Sequence, residues 1–199
     1  MRRRLVVAAH ADDETIGCGG TIAKHLSVGA SIFVGVLTRD MDDGAHRIRQ
    51  REAAEAWRML GVEEADWALE RAHPLTVSPG SVDAVSGWLI RFRPDVVFVP
   101  HEKEQDPDHA MVSQVVRSAM LHSGCVRPIL GYEVWMPISR PALFEDVTSV
   151  LAAKKGAIGR FASQTRDRDY VAGSVGLNRF RGVMSGNGDY VEVFNLVGM

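Results

Sequence analysis

Leu5-Val6-Val7-Ala8-Ala9-His10-Ala11-Asp12-Asp13-Glu14 is the stretch on which the reading of this chain turns. Five consecutive apolar residues read as a buried strand, and they stop at one imidazole and three carboxylates. Burying an unpaired carboxylate is costly, so the cluster calls for a cation, a hydrogen-bond network or water. If the chain turns sharply after Ala9, His10 and Asp13 converge on one point and Asp12 faces the same space. A nitrogen and a hard oxygen suit a borderline divalent ion such as zinc, provided another ligand arrives from elsewhere. The competing reading is a strand followed by an acidic helix start, where carboxylates favour the helix dipole.

Outward from this stretch, Gly17, Gly19 and Gly20 permit a tight turn, and a helix is expected over 21–28, ended by Gly29. A Val-, Ile- and Phe-rich strand follows over 30–38, then an acidic loop at 39–44 and a helix over 46–60 ended by Gly61. A weaker strand over 65–69 and a helix over 82–92 precede the second unambiguous strand, 95–100. Beyond a polar loop at 101–109 come a helix over 110–121 and a strand over 129–135. A helix over 147–161 leads into a Gly- and Arg-rich segment of little periodicity, which is expected to cover one side of the site or an oligomer contact. A last strand over 190–196 is expected on the sheet edge. Strands alternating with helices over short connections imply a Rossmann-like, doubly wound α/β fold with a mostly parallel sheet of order 3-2-1-4-5 plus the C-terminal strand. The whole of 1–199 is read as one domain.

In that order strands one and four are neighbours, and ligands bind beyond their carboxyl ends, where the winding reverses. The two densest clusters of histidine and carboxylate follow those two strands. His109 is thereby expected near His10 and Asp13, giving two nitrogens and a carboxylate with a fourth position open, the pattern of a catalytic rather than a structural zinc.

The same residues carry a family resemblance. Ala9-His10-Ala11-Asp12-Asp13-Glu14, followed by Asp106-Pro107-Asp108-His109, resembles the LmbE-like (PIG-L) family of zinc-dependent deacetylases. The likeness continues through Arg49 and Glu52, Gly131 to Trp135, Ala162-Ser163-Gln164 and Gly176 to Gly182. It implies removal of an acetyl group from an N-acetylglucosamine-type sugar or sugar conjugate by metal-activated water. It makes His10, Asp13 and His109 the metal ligands, Asp12 the general base and Arg49 a substrate contact. Zinc is the implied ion, with Fe2+ an alternative. Ala11 replaces the usual proline. Asp106 stands where many relatives have a histidine that serves the oxyanion or the leaving amine, and it cannot supply an imidazolium's charge.

Asp106 is therefore assigned to hold the developing ammonium or a sugar hydroxyl, with His101 as the donor that replaces the histidine. Asp108 is grouped with Arg49 and Trp135 as substrate-binding, and it is also placed to orient His109. Glu14 is read as a helix cap or a support for a ligand. His46 and His73 are further candidates to line the site, and Arg179 and Arg181 are candidates for an anionic substrate group or an oligomer face. Other amide or ester hydrolysis, a nucleotide-binding module and a non-catalytic relative remain the alternatives, although an acidic cluster is a poor place for pyrophosphate.

A net charge of −2 gives no reason to expect nucleic acid as a partner. No apolar stretch approaches the roughly 18 residues of a membrane span, and the apolar run behind Arg2-Arg3-Arg4 is too short for a secretory signal. Two isolated cysteines, Cys18 and Cys125, suit neither a disulfide framework nor a thiolate zinc site. The expectation is a cytoplasmic enzyme acting on a small N-acetylated molecule, with a homo-oligomer allowed.

Overall fold

The computed structural model describes residues 2–71 and 74–198. Among them, β1 (Arg3–Ala8), β2 (Ser31–Arg39), β3 (Glu64–Arg71), β4 (Val96–Pro100), β5 (Ile129–Tyr132), β6 (Leu143–Asp146) and β7 (Val191–Leu196) form one sheet in the order β3-β2-β1-β4-β5-β7-β6. The first five strands are parallel, as the alternation implies. The C-terminal strand β7 joins β5 antiparallel but does not form the edge, because β6 pairs outside it. The sequence reading missed β6: its four residues, Leu143-Phe144-Glu145-Asp146, are mostly exposed and make no buried apolar run.

The apolar strands are covered on both faces, with side chains dividing by period two. Leu5, Val7, Phe33, Val97 and Val99 pack against Val85, Trp88 and Leu89 of α3 (Pro79–Phe92) and Val112 and Val116 of α4 (Pro107–Ser123). Val6, Val34, Val36 and Phe98 face the other way. They meet Ile22 of α1 (Asp13–Ser27), Ala53 and Trp57 of α2 (Asp43–Leu60) and Ala157 of α5 (Leu151–Ile158). Each large side chain so enclosed contributes about 1.5–3 kcal/mol. Gly35 marks one close approach of helix to sheet, since a Cβ there would lie 2.4 Å from the Trp88 ring.

Helices start earlier than the periodicity suggests. Asp42, Ser78 and Asp106 cap α2, α3 and α4 with side-chain oxygens, and Pro79 and Pro107 sit in first turns, where a missing N–H costs nothing. The largest shift is in α1, which begins at Asp13 and runs through the glycines with a break at Cys18 (φ −139°, ψ 22°). Those glycines serve close packing rather than a tight turn: a Cβ on Gly17 would fall 2.3 Å from Tyr132 and one on Gly20 2.7 Å from Val147.

The segment without apolar periodicity is also helical, as α6 (Ala162–Thr165) and α7 (Tyr170–Ser185). The buried positions of α7 are Ser174, Asn178 and Gly182, a helical spacing written in small and polar residues. Hydrophobic patterning does not register such a face. Asn178 belongs to a buried cluster in which the Lys154 ammonium donates to Glu192 Oε1 (2.6 Å) and to Asn178 Oδ1 (2.8 Å). The Glu192 carboxylate also accepts the backbone N–H of Gly20 and Thr21 (2.9 and 2.7 Å), so one ion pair ties α5, α7 and β7 to the middle of α1.

Removing one partner strands a buried charge. Lys154→Ala is expected to lower unfolding free energy by about 3–5 kcal/mol in denaturant titration, and Lys154→Met combined with Glu192→Gln to recover much of that loss. A single-variant loss within about 0.5 kcal/mol would show that the pair does not bind these elements together.

Candidate metal centre

β1 and β4 lie side by side, so the chain segments leaving their carboxyl ends share one crevice. His10 follows β1, Asp13 opens α1, and His109 sits in the first turn of α4. His10 Nδ1 lies 3.3 Å from His109 Nε2, and His109 Nε2 lies 3.1 Å from Asp13 Oδ1. One donor atom from each of the three falls within 4.8 Å of the others, so the trio can hold a metal ion. The second Asp13 oxygen accepts the His10 backbone N–H at 2.8 Å, which fixes the carboxylate.

What lies behind the imidazoles decides how they present themselves. Asp108 Oδ2 stands 3.3 Å from His10 Nε2, while Asp108 Oδ1 accepts the N–H of Leu75 at 2.7 Å. Glu104 Oε2 stands 3.6 Å from His109 Nδ1. Each ring thus has a carboxylate 3.3–3.6 Å from its outer nitrogen, and with the proton on that side the inner nitrogen presents a lone pair towards Asp13. Three acceptors that converge with no donor between them fit a cation. Their electrostatics agree: burial alone would lower the His109 pKa, but the Asp13 charge and the bonds to Asp13 and Glu104 outweigh it and push it to about 11. The pocket demands positive charge, and a divalent ion satisfies that demand with both imidazoles neutral.

Two expectations change here. Asp108 is wholly buried, does not line the cavity and faces His10, not its neighbour His109; it is a support for a ring, not a substrate contact. His101 is also buried, with Nε2 2.7 Å from the Met136 carbonyl and Nδ1 accepting the Lys103 N–H at 3.2 Å. Both of its nitrogens are committed, so it does not reach the cavity as a donor. It leans instead on Glu104, 3.3 Å away. Burial would raise the Glu104 pKa, but bonds from His101, His109 and the N–H groups of Val134 and Trp135 hold it down at about 2. Glu104 escaped the sequence reading, although a carboxylate in the same loop as a ligand-like histidine is the residue such a ring needs behind it.

Asp12 has a left-handed backbone (φ 145°, ψ −28°), a conformation costing about 1–3 kcal/mol outside glycine. Buried Glu14 holds it there, accepting the Asp12 N–H at 3.2 Å while its other oxygen accepts from Thr15 Oγ1 (2.7 Å) and Trp57 Nε1 (2.8 Å). Burial, then the adjacent Asp13 charge, raises the Asp12 carboxyl to about 7, with Arg49 and His10 pulling the other way. Asp12, Arg49, Asp106 and Trp135 join the three donors around a cavity of about 250 Å³. Asp106 spends one oxygen on the Asp108 N–H (2.8 Å) to cap α4. Arg49 Nε lies 3.6 Å from Asp40, and Trp135 meets His109 edge-on with centroids 5.7 Å apart.

Gln164, Arg168 and Tyr170 complete the lining, so the Gly- and Arg-rich segment does cover one side of the site, although no apolar pattern singles out Arg168 or Tyr170 in advance. His46 packs on Trp67 outside the cavity. Arg179 pairs with Asp189, and Arg181 with Glu133, so neither faces the metal centre. His73 lies outside the described residues.

Residues 5–120, more than half of the chain, match the profile of the GlcNAc-PI de-N-acetylase (PIG-L) family. The mycothiol S-conjugate amidase of Streptomyces coelicolor is 28% identical over 149 residues, covering 59% of this chain and 51% of its own length, so this chain spans about half of that relative. The conserved protein TT1542 of Thermus thermophilus superposes with a TM-score of 0.89 at 28% identity, over 98% of this chain and 94% of that one. The 4-carboxy-2-hydroxymuconate hydratase GalB of Pseudomonas putida superposes at 0.84 with 22% identity, over 100% and 97%, which is a likeness of fold. The family profile spans both halves of the metal centre, from the strand before His10 to the helix carrying His109, and on that match this chain belongs to the GlcNAc-PI de-N-acetylase (PIG-L) family.

Proposed function

We propose that this protein is a zinc-dependent hydrolase that removes the acetyl group from an N-acetylglucosamine-type sugar or sugar conjugate. The observation that carries the reading is the inward convergence of His10 Nδ1, His109 Nε2 and Asp13, each imidazole backed by its own carboxylate. Two nitrogens and one oxygen suit zinc, and the same set admits Fe2+. When bound, such an ion supplies positive charge that acidifies water and polarises an amide carbonyl.

The chain's own residues do the rest. Asp12 lies beside the donors without belonging to them, in a setting that brings its carboxyl near neutrality, so it accepts a proton from the attacking water. With His101 committed to the Met136 carbonyl, Asp12 is also the group that returns a proton to the departing amine. Arg49 offsets the charge of Asp12 and offers N–H donors to the sugar. Asp106, with one oxygen engaged in capping, accepts from a sugar hydroxyl or the new ammonium with the other. Cleavage of a different amide is the second reading, favoured by the amidase relative, and acetate release decides between the two.

No helix among the described residues is long and apolar enough to cross a membrane. The unpaired state of Cys18 and Cys125 supports a cytoplasmic location. Phe180, Val183 and Met184, exposed along one side of α7, support self-association.

Three measurements check the proposal. Metal analysis is expected to find one zinc per chain, lost in His109→Ala, and added zinc to raise the melting temperature of stripped protein. Glu104→Gln is expected to weaken metal affinity by about 10–100-fold without abolishing it. Asp12→Asn is expected to keep the metal and to lose about 10²–10⁴-fold in kcat for acetate release from N-acetylglucosamine conjugates. Undiminished turnover by Asp12→Asn would overturn its assignment as the base.

A further inference from the structure

Asp40, His46 and Arg49 form a polar group that the metal ligands and their supporting carboxylates do not account for. Asp40 follows the last residue of β2, and His46 and Arg49 stand about one turn apart on α2, so both face back toward the strand end. The Asp40 carboxylate lies between them, with Oδ1 3.6 Å from Arg49 Nε and Oδ2 3.8 Å from His46 Nδ1. Both distances exceed hydrogen-bond length. Asp40 Oδ2, both His46 nitrogens and Arg49 Nε are nevertheless buried, and none has a hydrogen-bond partner among the described residues. The His46 ring packs edge-on against Trp67, with centroids 5.2 Å apart.

Polar atoms buried and unmatched in this way lower stability, so the arrangement calls for a reason other than stability. Arg49 supplies it. Arg49 lines the metal cavity, but its long side chain recognises a ligand only once its rotamers are fixed. Its buried Nε faces the Asp40 carboxylate, which leaves the two terminal amino groups of the guanidinium for the cavity. The loop that carries Asp40 is itself fixed, because Asp42 accepts the Ala45 N–H at 2.8 Å to start α2.

We propose that Asp40 is a positioning residue for deacetylation: it holds Arg49 at Nε, with His46 on its far side, so that the terminal amino groups meet the sugar in one orientation. The assignment deepens the deacetylase reading and rests on it for the identity of the sugar. The hold on Arg49 is measurable without turnover.

Two readouts on zinc-loaded protein test it. The first is hydrogen exchange at arginine Nε–H groups in 15N-labelled protein, where the resonance lost in Arg49→Lys identifies Arg49. The second is a double-mutant cycle on acetate release, using whichever of N-acetylglucosamine and its two methyl glycosides reacts fastest. Asp40→Asn keeps the shape of the side chain and removes its charge. Asp43→Asn removes the same charge from an exposed carboxylate of the same loop, paired with Arg39, and is the control. Should Asp40→Asn not fold, Asp40→Ser takes its place with the same expectations.

The Arg49 Nε–H is expected to exchange more slowly than those of exposed arginines, about tenfold or more faster in Asp40→Asn, and within about twofold of the parent in Asp43→Asn. Asp40→Asn should lower kcat/KM by about tenfold, mostly through KM, and change it by less than about twofold when Arg49 is already alanine. Asp43→Asn should leave kcat/KM within about twofold. An Arg49 Nε–H that exchanges as fast as exposed ones, or that ignores Asp40→Asn, overturns the assignment. So does a loss in kcat/KM that is undiminished in the Arg49→Ala background, which is what a merely structural role gives. If Asp40→Asn frees the Arg49 Nε–H and Asp43→Asn does not, while no sugar releases acetate, Asp40 still positions Arg49 and the deacetylase reading falls.

Discussion

The parallel pairing of β1 with β4 is the constraint on which the functional part of the molecule depends. Its register, Arg4 opposite Val96 through Val6 opposite Phe98, brings to one point two polar clusters separated by most of a hundred residues of chain. Neither cluster is a binding site by itself. His10 and Asp13 lack a third donor, and His109 lacks a carboxylate to face. The apolar run that makes β1 a buried strand also delivers its polar terminus to the crevice where the winding reverses, so the same hydrophobic residues account for the fold and for the position of the chemistry.

Charge then dictates the local architecture. Asp12, Asp13, Glu14, Glu104 and Asp108 are all buried within or around one small volume. Such a concentration is tolerable because Asp13, Glu14, Glu104 and Asp108 have an imidazole, a backbone N–H or an indole beside them, while burial and the Asp13 charge raise Asp12 towards neutrality. The remaining demand for positive charge is focused between three acceptors. Glu14 and Glu104 perform comparable tasks from opposite sides, one shaping the backbone at Asp12 and the other fixing the His109 ring.

The sheet order and the meeting of His10, Asp13 and His109 were legible because they rest on strong signals, namely apolar runs and dense polar clusters at strand ends. Asp106 was legible in position but not in its duty as the cap of α4. The roles of His101 and Asp108 were not legible, since a polar loop of nine residues does not reveal which side chains turn inward, and both turn toward the protein interior. Arg168 and Tyr170 were invisible for another reason. They precede and open a helix whose buried stripe is Ser174, Asn178 and Gly182, and that stripe packs by smallness and hydrogen bonding instead of by apolar area. β6 escaped because a four-residue exposed strand borrows its stability from β7.

The grip of Trp57 on Glu14 links the metal centre to a helix that contributes none of its three metal ligands. The indole N–H comes from α2, near its carboxyl end, and the carboxylate it holds keeps the Asp12 backbone in its unfavourable shape. The working orientation of the base therefore depends on how the helix that follows β2 is docked. A repacking of that neighbouring layer would disturb the aim of the base while leaving every metal donor in place.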